Sequence, residues 1–165
     1  GADAIKVGIG PGSACTTRDI TAFGAPQFTA LQECIEVSQS FDIPVIADGG
    51  IKSSRECLLA LGVGASSVMI GGLFAKTKES AGKGIYRGQA SADFQIDYFG
   101  GVKEGTVPEG TTISYDKEKQ PSANAVIAEL LGGIRSGLTY GGAKNIVEFS
   151  RKAEFMEITP AYWKK

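Results

Sequence analysis

Three short apolar runs, residues 4–9, 43–48 and 66–71, each end in glycine, and helical patterns separate them. The first, Ala4 to Ile9, reads as a buried strand. From Gln27 to Ser40, Leu31, Cys34, Ile35 and Val37 recur among polar positions at the spacing of an amphipathic helix. Ser53 or Ser54 is placed to cap a second helix, with Cys57, Leu58 and Leu61 facing inward and Gly62 at its end. Strand, helix, strand, helix, strand predicts parallel strands joined by crossovers, an α/β fold. Residues 76–122 are rich in Gly, Lys, Asp, Glu, Ser and Thr and only weakly patterned, which predicts a functional flap. A helical pattern resumes at 123–131, a last helix is expected over Gly142 to Lys152, and Phe155 to Ile158 suits a short strand.

Composition narrows the classes. A net charge of −1 without a dense lysine block gives no case for nucleic acid. No apolar run approaches the ~18 residues of a membrane span, and no signal peptide opens the chain. Cys15, Cys34 and Cys57 are odd in number, widely spaced and without metal-type spacing, so reduced thiols in a cytoplasmic setting are expected. Cys34 and Cys57 fall on apolar helix faces and read as core. There is no histidine, so the commonest general base is unavailable here.

The densest chemistry lies in Gly8-Ile9-Gly10-Pro11-Gly12-Ser13-Ala14-Cys15-Thr16-Thr17-Arg18. Glycines and a proline stop the first strand and put Cys15 in a loop. A thiolate is a strong nucleophile, and a glycine loop at a strand end lets backbone N–H groups approach an anion. Asp48 closes an apolar strand, where an acid is costly unless it sits at the mouth of the sheet with a partner. The pairs Gly49-Gly50 and Gly71-Gly72 follow successive strands; they serve either as tight turns or as a phosphate cradle.

These motifs resemble the IMP dehydrogenase/GMP reductase family. The likeness runs from the cysteine loop through Val45-Ile46-Ala47-Asp48-Gly49-Gly50-Ile51, Ser67-Val68-Met69-Ile70-Gly71-Gly72, Tyr86-Arg87-Gly88 and Glu109-Gly110 to Leu131-Gly132-Gly133-Ile134-Arg135-Ser136. It covers nearly the whole chain as one domain, residues 1–165. The fold it implies is part of a (β/α)8 TIM barrel: strands six to eight, the flap at about 76–122 and the last helix. A whole barrel needs eight strands and ~250 residues. A companion chain or segment carrying the first five strands is therefore expected, with a doubly wound sheet as the alternative fold. The resemblance also implies a homo-oligomer, a tetramer.

For function, it implies a purine nucleoside monophosphate as substrate. Cys15 would add to purine carbon 2, forming a thioimidate, with NADPH or NAD as hydride partner. Thr17 and Glu109 would carry the proton. Ser13, Gly49, Gly50, Gly71, Gly72 and Tyr86 would hold the phosphate, and Asp48 the ribose hydroxyls. Gly88, Gln89 and Gly110 would contact the substrate, and Gln89 stands at the base contact, where the family usually has methionine. A monovalent cation such as potassium is implied at the carbonyls of Gly10, Gly12 and Cys15. Dehydrogenases of the family carry an Arg-Tyr pair in a longer flap. No such pair follows Tyr86-Arg87 here before Glu109, and Phe99-Gly100-Gly101-Val102 is reductase-like. Val107-Pro108-Glu109-Gly110 and Ile158-Thr159-Pro160-Ala161 are dehydrogenase-like. NADPH-dependent reduction of GMP to IMP with loss of ammonia is the favoured reading. NAD-dependent IMP dehydrogenation and a non-catalytic nucleotide-binding half-barrel are the alternatives.

Overall fold

The structure, a computed structural model, describes residues 1–163. Strands β1 (Ile5–Val7), β2 (Val45–Asp48) and β3 (Ser67–Met69) form one parallel sheet in the order β1-β2-β3. Register pairs Lys6 with Ile46, Val7 with Ala47, Ile46 with Ser67 and Asp48 with Met69. Side chains alternate faces along a strand. Val7, Val45 and Ala47 therefore share the face that meets α2 (Gln27–Gln39) and α3 (Ser54–Val63), which pack against each other. Lys6, Ile46, Ser67, Asp48 and Met69 take the other face. Strands in sequential order with both crossovers on one side match successive strands of a barrel. A doubly wound sheet would reverse its order and use both faces.

The core lies between sheet and helices: Leu31 and Ile35 from α2, Cys57 and Ala60 from α3, and Val126 and Leu130 from α6 (Ala123–Tyr140). Each such aliphatic residue, fully buried, contributes roughly 1.5–3 kcal/mol. Cys34 packs against this core and Cys57 is inside it, where burial pushes the Cys57 thiol up.

Several local expectations are corrected. The first run is a shorter strand than 4–9, and of it only Val7 is buried; Ile5 and Ile9 are exposed. Helix α3 ends at Gly64, whose φ of +115° suits glycine, rather than at Gly62. Gly62 is instead a packing site: a Cβ there would lie 3.1 Å from Phe155. The helix begun at 123 continues to Tyr140 because its glycines are contact points. A Cβ on Gly133 would lie 2.0 Å from Ser54 Oγ, and one on Gly137 2.4 Å from Leu58. The last helix, α7 (Ile146–Lys152), starts later than expected, where Asn145 accepts the Glu148 N–H at 2.8 Å. Residues 155–158 form no strand; Phe155 packs edge-on against Phe28 at 4.8 Å between centroids. The flap is more regular than its composition suggests. It contains β4 (Ile85–Arg87) paired antiparallel with β5 (Thr112–Ser114), and α5 (Ala92–Phe99) between them. Short helices outside the expected set include α1 (Thr17–Thr21) and α4 (Gly72–Ala75). Among the described residues no helix is long and apolar enough to cross a membrane.

A capping box fixes the start of α3. The Ser53 hydroxyl accepts the Arg55 N–H at 3.2 Å and donates to the Glu56 carboxylate at 2.8 Å; that carboxylate also accepts the Lys52 N–H at 3.3 Å. Burial pushes the Glu56 carboxyl up, but these hydrogen bonds outweigh it and leave it below the ordinary value of 4.5. A lowered folded pKa stabilises above the unfolded value and is lost as pH falls through the folded one. Glu56→Gln is expected to cost about 1 kcal/mol at neutral pH. The difference from wild type should vanish in acid, below pH 4.5. Urea denaturation of both proteins across pH 3–7 measures it.

Candidate active site at the strand ends

The C-terminal ends of β1, β2 and β3 open into one cleft of about 510 Å³. Gly12, Ser13, Asp48, Gly49, Gly50, Gly71, Gly72 and Tyr86 line it, together with Lys52, Lys76 and Tyr115, which the sequence had not singled out. Backbone sterics bring these elements together. A Cβ on Gly8 would fall 1.8 Å from the Asp48 carbonyl oxygen, so β1 leaves the sheet against β2 only as glycine. Gly49, at φ +91°, lies under Pro11; its Cβ would be 2.7 Å from the proline ring. Across the two ends, Gln27 Nε2 donates to the carbonyls of Val7 at 3.0 Å and Asp48 at 3.2 Å.

Asp48 is ion-paired with Lys6, the two lying on the same sheet face. That pairing offsets the cost of an acid at the end of an apolar strand. The Tyr86 hydroxyl comes so near Gly71 that a Cβ there would be 2.6 Å from it, and a Cβ on Gly72 would be 3.1 Å from Ser13 Oγ. Burial pushes the Tyr86 phenol up, and the neighbouring Tyr115 and Asp48 add to this against a hydrogen bond with Ser13. Tyr86 is thus a protonated donor at neutral pH, beside the Ser13 hydroxyl and two glycines that leave the backbone open.

A second cluster adjoins the cleft through Ala14. The Cys15 thiol donates to Thr17 Oγ1 at 3.2 Å, and Cys15 is part-buried. The flap returns to this loop through its backbone: Thr16 N–H donates to the Glu109 carbonyl at 3.2 Å, and Thr111 N–H to the Ala14 carbonyl at 2.8 Å. The Glu109 N–H donates to Ala90 at 3.0 Å and the Gly88 N–H to Thr111 at 3.2 Å. Glycine permits this three-way approach, since a Cβ on Gly88 or Gly110 would meet the Ala14 carbonyl oxygen at 2.9 or 3.1 Å. Cys15, Thr17, Gly88, Glu109 and Gly110 therefore converge, although Glu109 is 94 positions from Cys15 by subtraction of their numbers. Gln89 does not join them; it is exposed and outside the cleft lining.

Of the carbonyls expected to hold a cation, that of Gly12 accepts the Cys15 N–H at 3.1 Å, leaving one lone pair. Gly10, at φ +88°, packs on Arg18, which donates to the carbonyls of Ile9 at 3.3 Å and Ala25 at 2.6 Å. No group of three or more His, Cys, Asp or Glu suited to a metal ion occurs among the described residues.

The IMP dehydrogenase / GMP reductase domain matches residues 1–164. An inosine-5'-monophosphate dehydrogenase of Helicobacter pylori is 48% identical over 177 residues, covering 98% of this chain and 36% of that protein. One of Cryptosporidium parvum is 41% identical over 177 residues, covering 96% and 43%. The chain thus spans a little over a third to under a half of these relatives. Among solved structures, a cysteine-to-alanine variant of GMP reductase from Trypanosoma brucei, in complex with guanosine 5'-monophosphate, superposes with a TM-score of 0.90 at 35% identity. It covers 98% of this chain and 35% of that one.

Proposed function

Because the chain belongs to the IMP dehydrogenase/GMP reductase family, we propose that it carries the nucleophile and substrate half of a purine-nucleotide oxidoreductase, working within a complete barrel. The observation that carries this reading is the junction of Cys15, Thr17 and the Glu109 backbone beside a cleft lined by hydroxyls and open glycines. The exposed edges of β1 and β3 suit further barrel strands, supplied by a companion segment. Repeated copies of the barrel suit a tetramer.

In this reading the nucleotide phosphate meets the Ser13 and Tyr86 hydroxyls and the backbone of Gly49, Gly50, Gly71 and Gly72. Asp48, ion-paired with Lys6, accepts hydrogen bonds from the ribose hydroxyls. Cys15 gives its proton up and its sulfur bonds to purine carbon 2. Where GMP is the substrate, the carbon 2 amino group leaves as ammonia, and Thr17 with Glu109 supplies the proton it takes. The Glu109 side chain has no hydrogen bond or ion pair among the described residues, which leaves it available for that task. A nicotinamide cofactor, NADPH in the favoured direction, supplies the hydride chemistry when bound. Part-buried Cys15 fits a position that must meet a purine with a second ligand close by. A potassium ion would use the free lone pairs of the Gly10, Gly12 and Cys15 carbonyls.

The reading is tested by thiol labelling. Cys15 in the completed barrel should react with iodoacetamide at neutral pH while Cys57, buried, does not. IMP or GMP should protect it. Labelling indifferent to both nucleotides would sink the proposal.

A further inference from the structure

We propose that Lys76, supported by Lys52, reads the charge of the bound phosphate and so sets the preference for nucleotide over nucleoside. The inference rests on the purine-nucleotide reading above and adds to it residues outside the expected phosphate contacts. Those contacts, Ser13, Tyr86 and four glycines, are all uncharged. The cleft they line nevertheless has two lysines in its wall, Lys52 and Lys76.

Charge balance gives these lysines their meaning. Asp48 is the one acidic residue lining the cleft, and Lys6 already holds it. Neither Lys52 nor Lys76 takes part in an ion pair among the described residues. Both also line an adjoining cavity of about 180 Å³, where Glu129 is the acidic residue, outside ion-pair distance of either. The cleft lining therefore includes two lysines without an ion-pair partner among the described residues, together with Tyr86, Ser13 and Gly71-Gly72.

Lys76 is the stronger of the two. It follows α4 directly, with its own N–H bonded to the Phe74 carbonyl, so its backbone is fixed relative to Gly72. It is part-buried, whereas Lys52 is exposed, so solvent and salt screen its field less. A phosphate monoester is close to a dianion at neutral pH, and lysine is a point charge suited to it. A nucleoside has no such group and gains nothing from Lys76.

The test is calorimetric titration of the completed barrel with IMP and with inosine, for wild type, Lys76→Gln and Lys76→Arg. Lys76→Gln should weaken IMP about 10-fold, equivalent to about 1.4 kcal/mol, while inosine changes less than about 2-fold. Its IMP affinity should also fall less steeply with salt. Lys76→Arg should keep most of the affinity. Equal weakening of IMP and inosine would assign Lys76 a structural role and overturn the inference, as would unchanged IMP affinity in Lys76→Gln. A wild type that binds no IMP would overturn the functional reading itself, and this inference with it.

Discussion

Cys15→Ala in the completed barrel is expected to lose at least about 10⁴-fold in kcat while IMP and GMP still bind within a few-fold of wild type. The two effects separate because two sets of residues are involved. The cleft that would hold phosphate and ribose is lined by Ser13, Asp48, Tyr86 and the glycine pairs, and Cys15 is not part of that lining. Removing the sulfur takes away the loop's one thiol, the group proposed to bond to carbon 2. It leaves the turn intact, since that turn is closed by the Cys15 N–H on Gly12, a backbone bond that alanine keeps. Steady-state turnover and equilibrium titration of the same preparation measure both halves. Near-normal kcat would end the cysteine mechanism. Loss of binding in parallel with turnover would mean the variant has disturbed the loop, and Cys15→Ser, which keeps the size, then decides between the two.

Glu109→Gln is expected to slow ammonia release from GMP by about 10²- to 10³-fold with little change in GMP affinity. The amide keeps the shape and removes only the titratable group. The Glu109 backbone bonds that tie the flap to Thr16 and Ala90 do not involve the side chain. The same wild-type protein is expected to oxidise NADPH with GMP faster than it reduces NAD with IMP. Forming xanthosine monophosphate needs an activated water. The flap arginine nearest Tyr86, Arg87, is already bound to the Asp97 carboxylate and the Asp93 carbonyl and lies 5.7 Å above the Phe94 ring. Ammonia needs only a proton carrier, the role proposed for Thr17 with Glu109. Robust xanthosine monophosphate formation with negligible GMP reduction would reverse the assignment, and the water-activating group would have to be sought elsewhere in the flap.

Local patterns carried much of the chain. The glycine-terminated apolar runs marked all three parallel strands, because a short apolar run stopped by glycine is a signal read within a few residues. Ser53 and Leu31, Cys34 and Ile35 marked two helices for the same reason: capping and amphipathicity act within a few residues. The Cys15 loop was legible because a cysteine among glycines is unusual chemistry in a short span. The glycines of α6 were misleading, since Gly133 and Gly137 make room for Ser54 and Leu58, and that requirement belongs to the partner helix.

Other features depended on distance in sequence. Only the folded chain places Glu109 against Thr16 and Thr111 against Ala14, through backbone bonds that no side-chain pattern announces. It also pairs β4 with β5 across a segment whose composition looked structureless, because a two-stranded ribbon needs few apolar residues of its own. Lys6, Lys52 and Lys76 were ordinary surface lysines by sequence. Sheet register turned the first toward Asp48, and the turn after α4 brought the last to the cleft. The sequence by itself determined the strand–helix alternation and the glycine loop that carries Cys15, since each rests on neighbours along the chain. The tertiary structure alone decided which distant groups share the site and where its charge lies, since those depend on packing between segments that have no local bond.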